Sequence, residues 1–371
     1  MATKRISIDA SIKNTYKLSG GVASAAIPNS PTIGAATSTG SGATVTYTAA
    51  TLGATASSFT ATSNIGSFTG TGSSPITISG LAAATNYTFT VTATNSNGTS
   101  AASSASNQIT TDNSISFDYV AVAGGGGGIN QDGGGSGAGG LLSAETVVIT
   151  PGTTLSITVG AGGTTSNGNN TVISGSGLTT ITCIGGGSAG AAGSNGSSGG
   201  SGGAAGMWGS PGSGYAGPPR QGYDGGSSSC NWGGGGGAGG VGTSTSNQGT
   251  ANGGIGATSA LINDLAANSS SGHLVSGNYY FAGGGGGRQQ QQGICGHSSN
   301  AGAGGNGGGG ANNTAGTANT GGGGGGFAAG GSGIVILKTL VTASATTGSP
   351  TTYTVGSYKY YKFTGSGTIT L

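Results

Sequence analysis

Apolar residues at every second position mark the strands of this chain. In residues 143–160, SAETVVITPGTTLSITVG, Val147 and Ile149 and then Leu155, Ile157 and Val159 alternate with polar residues on either side of Pro151-Gly152. That pattern predicts a hairpin with one buried face. A second alternation lies in residues 75–111, where Tyr87, Phe89, Val91 and Ala93 form the run Y-x-F-x-V-x-A-x-N and the turn signal Asn97-Gly98 follows. The rest of 28–112 is rich in Thr and Ser with turn signals about every ten residues, as a small β-sandwich requires.

Glycine fills the space between the later apolar stretches. The sequence runs FDYVAVAGGGGG from Phe117 and returns to such tracts until GGGGGGFAAGGSGIVIL, which ends at Leu337. A glycine run is ordinarily a flexible linker, but a linker has no use for the apolar strand-like inserts. The ordered alternative is the extended left-handed threefold helix, whose N–H and C=O groups all point outward and must pair between neighbouring helices. A collagen triple helix is excluded, because adjacent glycines and only 8 prolines break its period. Ordering a residue costs roughly 1–2 kcal/mol and a net hydrogen bond returns roughly 0.5–1.5 kcal/mol, so such a lattice depends on dense pairing and on strands that fasten its ends.

Two resemblances follow from these residues. Leu81, six residues before Tyr87, with the Y-x-F-x-V-x-A-x-N run and Asn97-Gly98, resembles a fibronectin type III domain, although the usual early-strand tryptophan is missing. The resemblance implies a core role for Leu81 and Tyr87 and a corner hydrogen bond from the tyrosine. The pieces FDYVAVAGGGGG, GAGGLL, TLSITVGAGG, YYFAGGGGG and GGSGIVILK, in that order, resemble the glycine-rich domain of bacteriophage tail-fibre and adhesin proteins. That resemblance implies a polyglycine-helix sandwich whose loops contact a receptor. The expected fold is therefore mainly β and irregular: a fibronectin type III-like β-sandwich, then a glycine-rich polyglycine II helix bundle capped by short β-strands. Its expected parts are an N-terminal arm at 1–27, the sandwich at 28–112, the glycine-rich domain at 113–338 and a separate segment of short strands at 339–371.

Composition narrows the function. With 89 glycines, 9 basic and 7 acidic residues and a net charge of +2, the chain carries no nucleic-acid footprint. So few carboxylates and histidines make acid–base chemistry hard to assemble, and spaced glycines here carry no dinucleotide signal. No catalytic, cofactor or metal residues are expected, and the protein is not expected to be an enzyme. Cys183, Cys230 and Cys295 are odd in number and widely spaced, so they read as reduced packing residues. Cys295-Gly296-His297 would be half a metal site at most. The N-terminus has positive charge without a signal-peptide apolar core, and no stretch reaches transmembrane length. A virion component made in the host cytoplasm fits this picture.

The polar, mildly basic arm, with Lys4, Arg5, Ile6, Ile8 and Ile12, is the expected attachment to other virion proteins of the tail or capsid. Large side chains cluster in glycine-flanked loops: Met207, Trp208, Tyr215, Arg220, Tyr223 and Trp232, then Tyr279, Tyr280 and Phe281 ahead of Arg288 and a glutamine run. Aromatic and Arg side chains anchor recognition surfaces, and they also plug the ends of helix bundles. Trp208, Tyr215, Arg220, Tyr223, Trp232 and Arg288 are the receptor-contact candidates, and residues 279–281 lean to plugs. The leading expectation is a tail fibre or adhesin, oligomeric on the particle, that contacts a host polysaccharide or outer-membrane protein. A capsid decoration or head fibre is the alternative, and an ice-binding or wall-associated protein a more distant one.

Overall fold

The computed structural model describes residues 26–39, 42–112, 114–129, 133–229, 232–245, 250–288 and 300–371. The chain divides at residues 114/115 into two units, and the described part is mainly β, in antiparallel sheets with one α-helix.

In the first unit the period-2 segments become β1 (Thr32–Ser38), β2 (Gly42–Thr48), β3 (Ser58–Ser63), β4 (Thr69–Thr71), β5 (Ile76–Ser79), β6 (Asn86–Tyr87), β7 (Phe89–Asn95), β8 (Gly98–Thr99) and β9 (Ile109–Thr110). They build a three-stranded sheet β1-β2-β5, a four-stranded sheet β4-β3-β7-β8 and a short β6-β9 pair. The alternation at 87–93 puts Tyr87, Phe89, Val91 and Ala93 inside, each no more than 1% exposed, where most of them meet Val45, Ile76, Ile78 and Leu81. Tyr87 has a second job. Its hydroxyl accepts the Ala82 N–H at 3.0 Å, tying the chain that follows β5 to the start of the buried strand.

The second unit contains β10 (Ile115–Val122), β11 (Leu141–Ile149), β12 (Thr154–Thr158), β13 (Thr171–Gly175), β14 (Leu178–Cys183), α1 (Ala260–Asn268), β15 (His273–Val275), β16 (Asn278–Tyr280), β17 (Ile334–Thr339), β18 (Ala345–Thr346), β19 (Thr351–Val355), β20 (Tyr358–Phe363) and β21 (Gly367–Thr370). Two five-stranded sheets, β11-β10-β17-β20-β19 and β14-β13-β12-β21-β18, enclose Phe117, Tyr119, Leu155, Ile157, Leu337 and Phe363. The outer face of the first sheet buries Val120, Val122, Ile334 and Ile336 against Ile262 and Leu265 of α1 and against Phe281. Strands covered on both faces need continuous apolar runs, which is why VAV and IVIL do not alternate.

Two expectations are corrected here. Residues 143–160 are not a hairpin: β11 and β12 lie in different sheets, so the turn at Pro151-Gly152 carries the chain across the sandwich, and Ile149, Leu155 and Ile157 meet in its core. Residues 339–371 are not a separate segment either. β20 pairs with β17 and β21 with β12, because Tyr361, Phe363 and Ile369 supply apolar area that the sandwich core lacks without them.

Beyond the strands the glycine tracts run on as ordered backbone with a three-residue beat. Ala123 and Gly126 donate to Gly140 and Gly137, Gly124 and Gly127 to Asn169 and Ser166, and Gly125 and Gly128 to Gly331 and Ala328, all at 2.8–3.1 Å. Residues 133–140 are buried throughout and surrounded by neighbours. Gly135 and Ala138 donate to Gly233 and Gly236, Ser136 and Gly139 to Gly324 and Gly321, and Gly137 and Gly140 to Gly187 and Ile184. The tract accepts in turn from Gly126, Ser201 and Gly285, three further segments. Only glycine permits this spacing: a Cβ on Gly135, Gly137 or Gly139 would fall far inside contact distance of the carbonyls of Gly285, Ser201 and Ala123. At the lattice surface asparagine side chains replace missing neighbours, as where Asn167 and Asn170 accept the N–H groups of Ser188 and Gly185.

Candidate functional site

The tracts leave the sandwich, turn, and come back, so their connecting loops collect at two ends. The candidate residues divide between those ends. At the sheet end, Tyr215 donates its N–H to Gly200 and accepts from Gln221. Gln221 is buried, and its side-chain amide donates to the Thr182 carbonyl at 2.9 Å and accepts from the Ile184 N–H at 2.8 Å. Arg220 lies over the Tyr223 ring at 4.6 Å and donates to the Gly222 carbonyl at 3.1 Å. This loop walls one side of a groove of about 620 Å³ whose other walls are β11 and β14, with Val147, Val148, Leu178, Pro218 and Pro219 along it.

Residues 200–206 carry the chain away from that end, bonded to tract after tract. There Trp208 projects, 61% exposed with φ at +61°. A bulky residue in the left-handed region is uncommon. It is held by the hydrogen bonds from Gly193 to the Met207 carbonyl and from Gly209 to the Gly206 carbonyl, both 2.9 Å, while Met207 is buried. On this same end Trp232 is only 1% exposed and its carbonyl accepts the Thr245 hydroxyl at 3.1 Å. Arg288, next to Gly287, lies 4.7 Å over the Phe327 ring.

Trp208 and Arg288 thus share the far end, Tyr215, Arg220 and Tyr223 share the sheet end, and Trp232 is an interior plug. Their closeness in sequence hides this split because a reversal between 208 and 215 brings the chain back to the sheets. Of residues 279–281, Phe281 is fully buried and Tyr279 packs on the same cluster. The arm candidates Lys4, Arg5, Ile6, Ile8 and Ile12, together with Cys230, Cys295, His297 and the glutamine run, lie outside the described residues.

Cys183 sits in the sandwich core and donates its thiol to the Ala121 carbonyl at 3.2 Å. Burial pushes its pKa up to about 12, so the thiolate that would react is disfavoured. Burial, with Cys183 beside it, likewise raises Tyr119 to about 12. Among the described residues no three His, Cys, Asp or Glu side chains converge.

Sequence reasoning passed over α1 and its anchor. Ser259 caps its first turn through the Ile262 N–H, and Ile262, Leu265 and Ala266 are its buried face, a 3–4 spacing that was there to be read. Lys338 Nζ meets Asp264 at 2.7 Å and Asp118 at 3.5 Å. Burial pulls this lysine's pKa down, but the Asp264 hydrogen bond and charge, with Tyr360 and Asp118, leave it raised overall.

The glycine-rich domain family model matches residues 103–340. The chain belongs to that family. A comparison with curated proteins finds no match. Strands β18, β19, β20 and β21 fall beyond the matched region yet complete both sheets.

Proposed function

We propose that the chain is a structural attachment protein of a bacteriophage particle, a tail fibre or adhesin held by its N-terminal arm. In this reading residues 28–112 are a fibronectin type III-like spacer. The three- and four-stranded antiparallel sheets and the Tyr87 hydroxyl bonded at the corner to Ala82 support that assignment. The glycine tracts are a bundle of polyglycine II helices, supported by the three-residue beat of their inter-tract hydrogen bonds and the exclusion of any Cβ at the interior positions.

The observation that carries the functional reading is the pairing of that stiff lattice with a tryptophan projected from its far end. A lattice of backbone offers no selectivity, so recognition falls to side chains held in strained, well-braced loops. Trp208, with Arg288 on the same end, is the contact for a host polysaccharide or outer-membrane protein, and the sheets at the other end fasten the bundle. Purified protein carrying Trp208→Ser tests this. It should melt like the wild type while losing at least tenfold in binding to host cells or in blocking phage adsorption. Unchanged binding with an unchanged melt would remove Trp208 from the contact.

A further inference from the structure

The groove at the sheet end is built from residues of the second unit alone. It runs between two edge strands, β11 and β14, and is lined by Val147, Val148, Leu178, Tyr215, Pro218 and Pro219. Val148 is 55% and Tyr215 41% exposed, so the slot offers apolar side chains to solvent beside Thr179, Thr180 and Thr182, an arrangement that marks interaction sites. The outer edge of β14 is not a free ladder. The Gln221 amide already takes the Thr182 carbonyl. The slot therefore selects apolar side chains on an extended segment rather than a strand in continuous register.

The chain supplies such a segment. In residues 6–12, ISIDASI, Ile6, Ile8, Ala10 and Ile12 alternate with Ser7, Asp9 and Ser11, so an extended backbone would carry all four apolar side chains on one face. Lys4, Arg5 and Lys13 flank the segment, and Glu145, the chain's one glutamate, is exposed on β11 close to Val147.

The first unit shows where the segment departs. The Ala26 carbonyl accepts from the Asn95 and Asn97 side chains at the β7-β8 turn, whereas the chain exits through β9, which pairs with Asn86 and Tyr87. These points lie eight residues apart along the 87–95 stretch, about 26 Å at ~3.3 Å per residue. Residue 26 and the β9 pairing therefore lie at opposite ends of the first unit.

We propose that the apolar face of residues 6–12 of one copy docks in the groove between β11 and β14 of a second copy. The contact is head-to-tail, so it need not close and can repeat along a fibre. The arm of the first copy then holds the particle and each later arm holds the copy before it.

The test uses the full-length protein without particles, so its failure leaves the attachment reading standing. A photo-cross-linking residue replaces Ile8 in an equal mixture of isotope-labelled and unlabelled chains, and cross-linked peptides are identified by mass. The expected result is mixed-isotope cross-links from the arm to residues 142–148 or 178–182. They should fall at least tenfold in Val148→Asp, or, should that variant not fold, in Ile6→Asp/Ile12→Asp, which alters no described core. Cross-links confined to one isotope would show the arm serving its own chain and overturn the proposal. Cross-links landing elsewhere, or a chain that stays monomeric by sedimentation with none formed, would overturn it too.

Discussion

Gly285→Ala adds one methyl group at the centre of the bundle, and the structure sets its cost. Gly285 donates to Ser136 and accepts from Gly235, at 2.9 and 2.8 Å. The added Cβ would lie far inside contact distance of the Gly324 carbonyl. That carbonyl is itself the acceptor for the Ser136 N–H, so relieving the clash pulls apart three pairings shared by four tracts. Each net bond is worth roughly 0.5–1.5 kcal/mol, and a buried group left unpaired costs roughly 1–3 kcal/mol. The expected loss is about 3–6 kcal/mol, a large share of the roughly 5–15 kcal/mol that holds a typical domain together. Gly365→Ala is the control, since nothing lies within 4 Å of a Cβ there, and it should change stability by less than ~1 kcal/mol. Urea unfolding followed by circular dichroism reads both. If Gly285→Ala unfolds at the same urea concentration as Gly365→Ala, the tracts are not packed and the reasoning fails.

Three further outcomes are expected. Tyr87→Phe leaves the Ala82 N–H without its acceptor and should cost about 1–2 kcal/mol in the unfolding of the first unit, the second being unaffected. Lys338→Met removes the ion pair with Asp264 and Asp118 and should cost roughly 1–3 kcal/mol, between the exposed and buried limits, seen as early loss of protection in α1 by hydrogen exchange. Cys183 and Tyr119 hold their protons up to about 12 in the fold against 9.0 and 10.0 ordinarily. Their raised pKa values stabilise fully below about pH 9, and that contribution is lost as pH rises through 12. Urea titrations should show stability falling as the pH rises from 8 to 11, partly flattened in Cys183→Val, and a flat profile would contradict the burial of both groups.

Local pattern carried much of this fold into view. The inward alternation at Tyr87, Phe89, Val91 and Ala93 is a property of one strand, and one strand is enough to read it. Pairing is not local. The Pro151-Gly152 turn looks the same whether it closes a hairpin or carries the chain between sheets, and only the partners decide which: β10 for one strand and β21, at the other end of the unit's sequence, for the other. The lattice was legible as a chemical possibility because adjacent glycines exclude collagen, while its neighbour assignments depend on loop lengths that composition does not reveal. The same holds for the candidate surface. Trp208 and Trp232 are both tryptophans near glycine, yet a braced left-handed turn exposes one and the surrounding tracts enclose the other. Missing α1 was a different kind of error, since Ser259 and the Ile262, Leu265, Ala266 spacing are a local helix signal amid low-complexity sequence.

Native-state hydrogen exchange resolved to single amides tests the packed lattice most directly. The account predicts that Gly126, Gly137, Gly139 and Gly285 exchange as slowly as Val120 and Ile336 in the central strands, because each donates to a carbonyl of a neighbouring buried segment. Exchange of those glycine amides at free-peptide rates, with β10 and β17 still protected, would contradict it and return the tracts to flexible linkers.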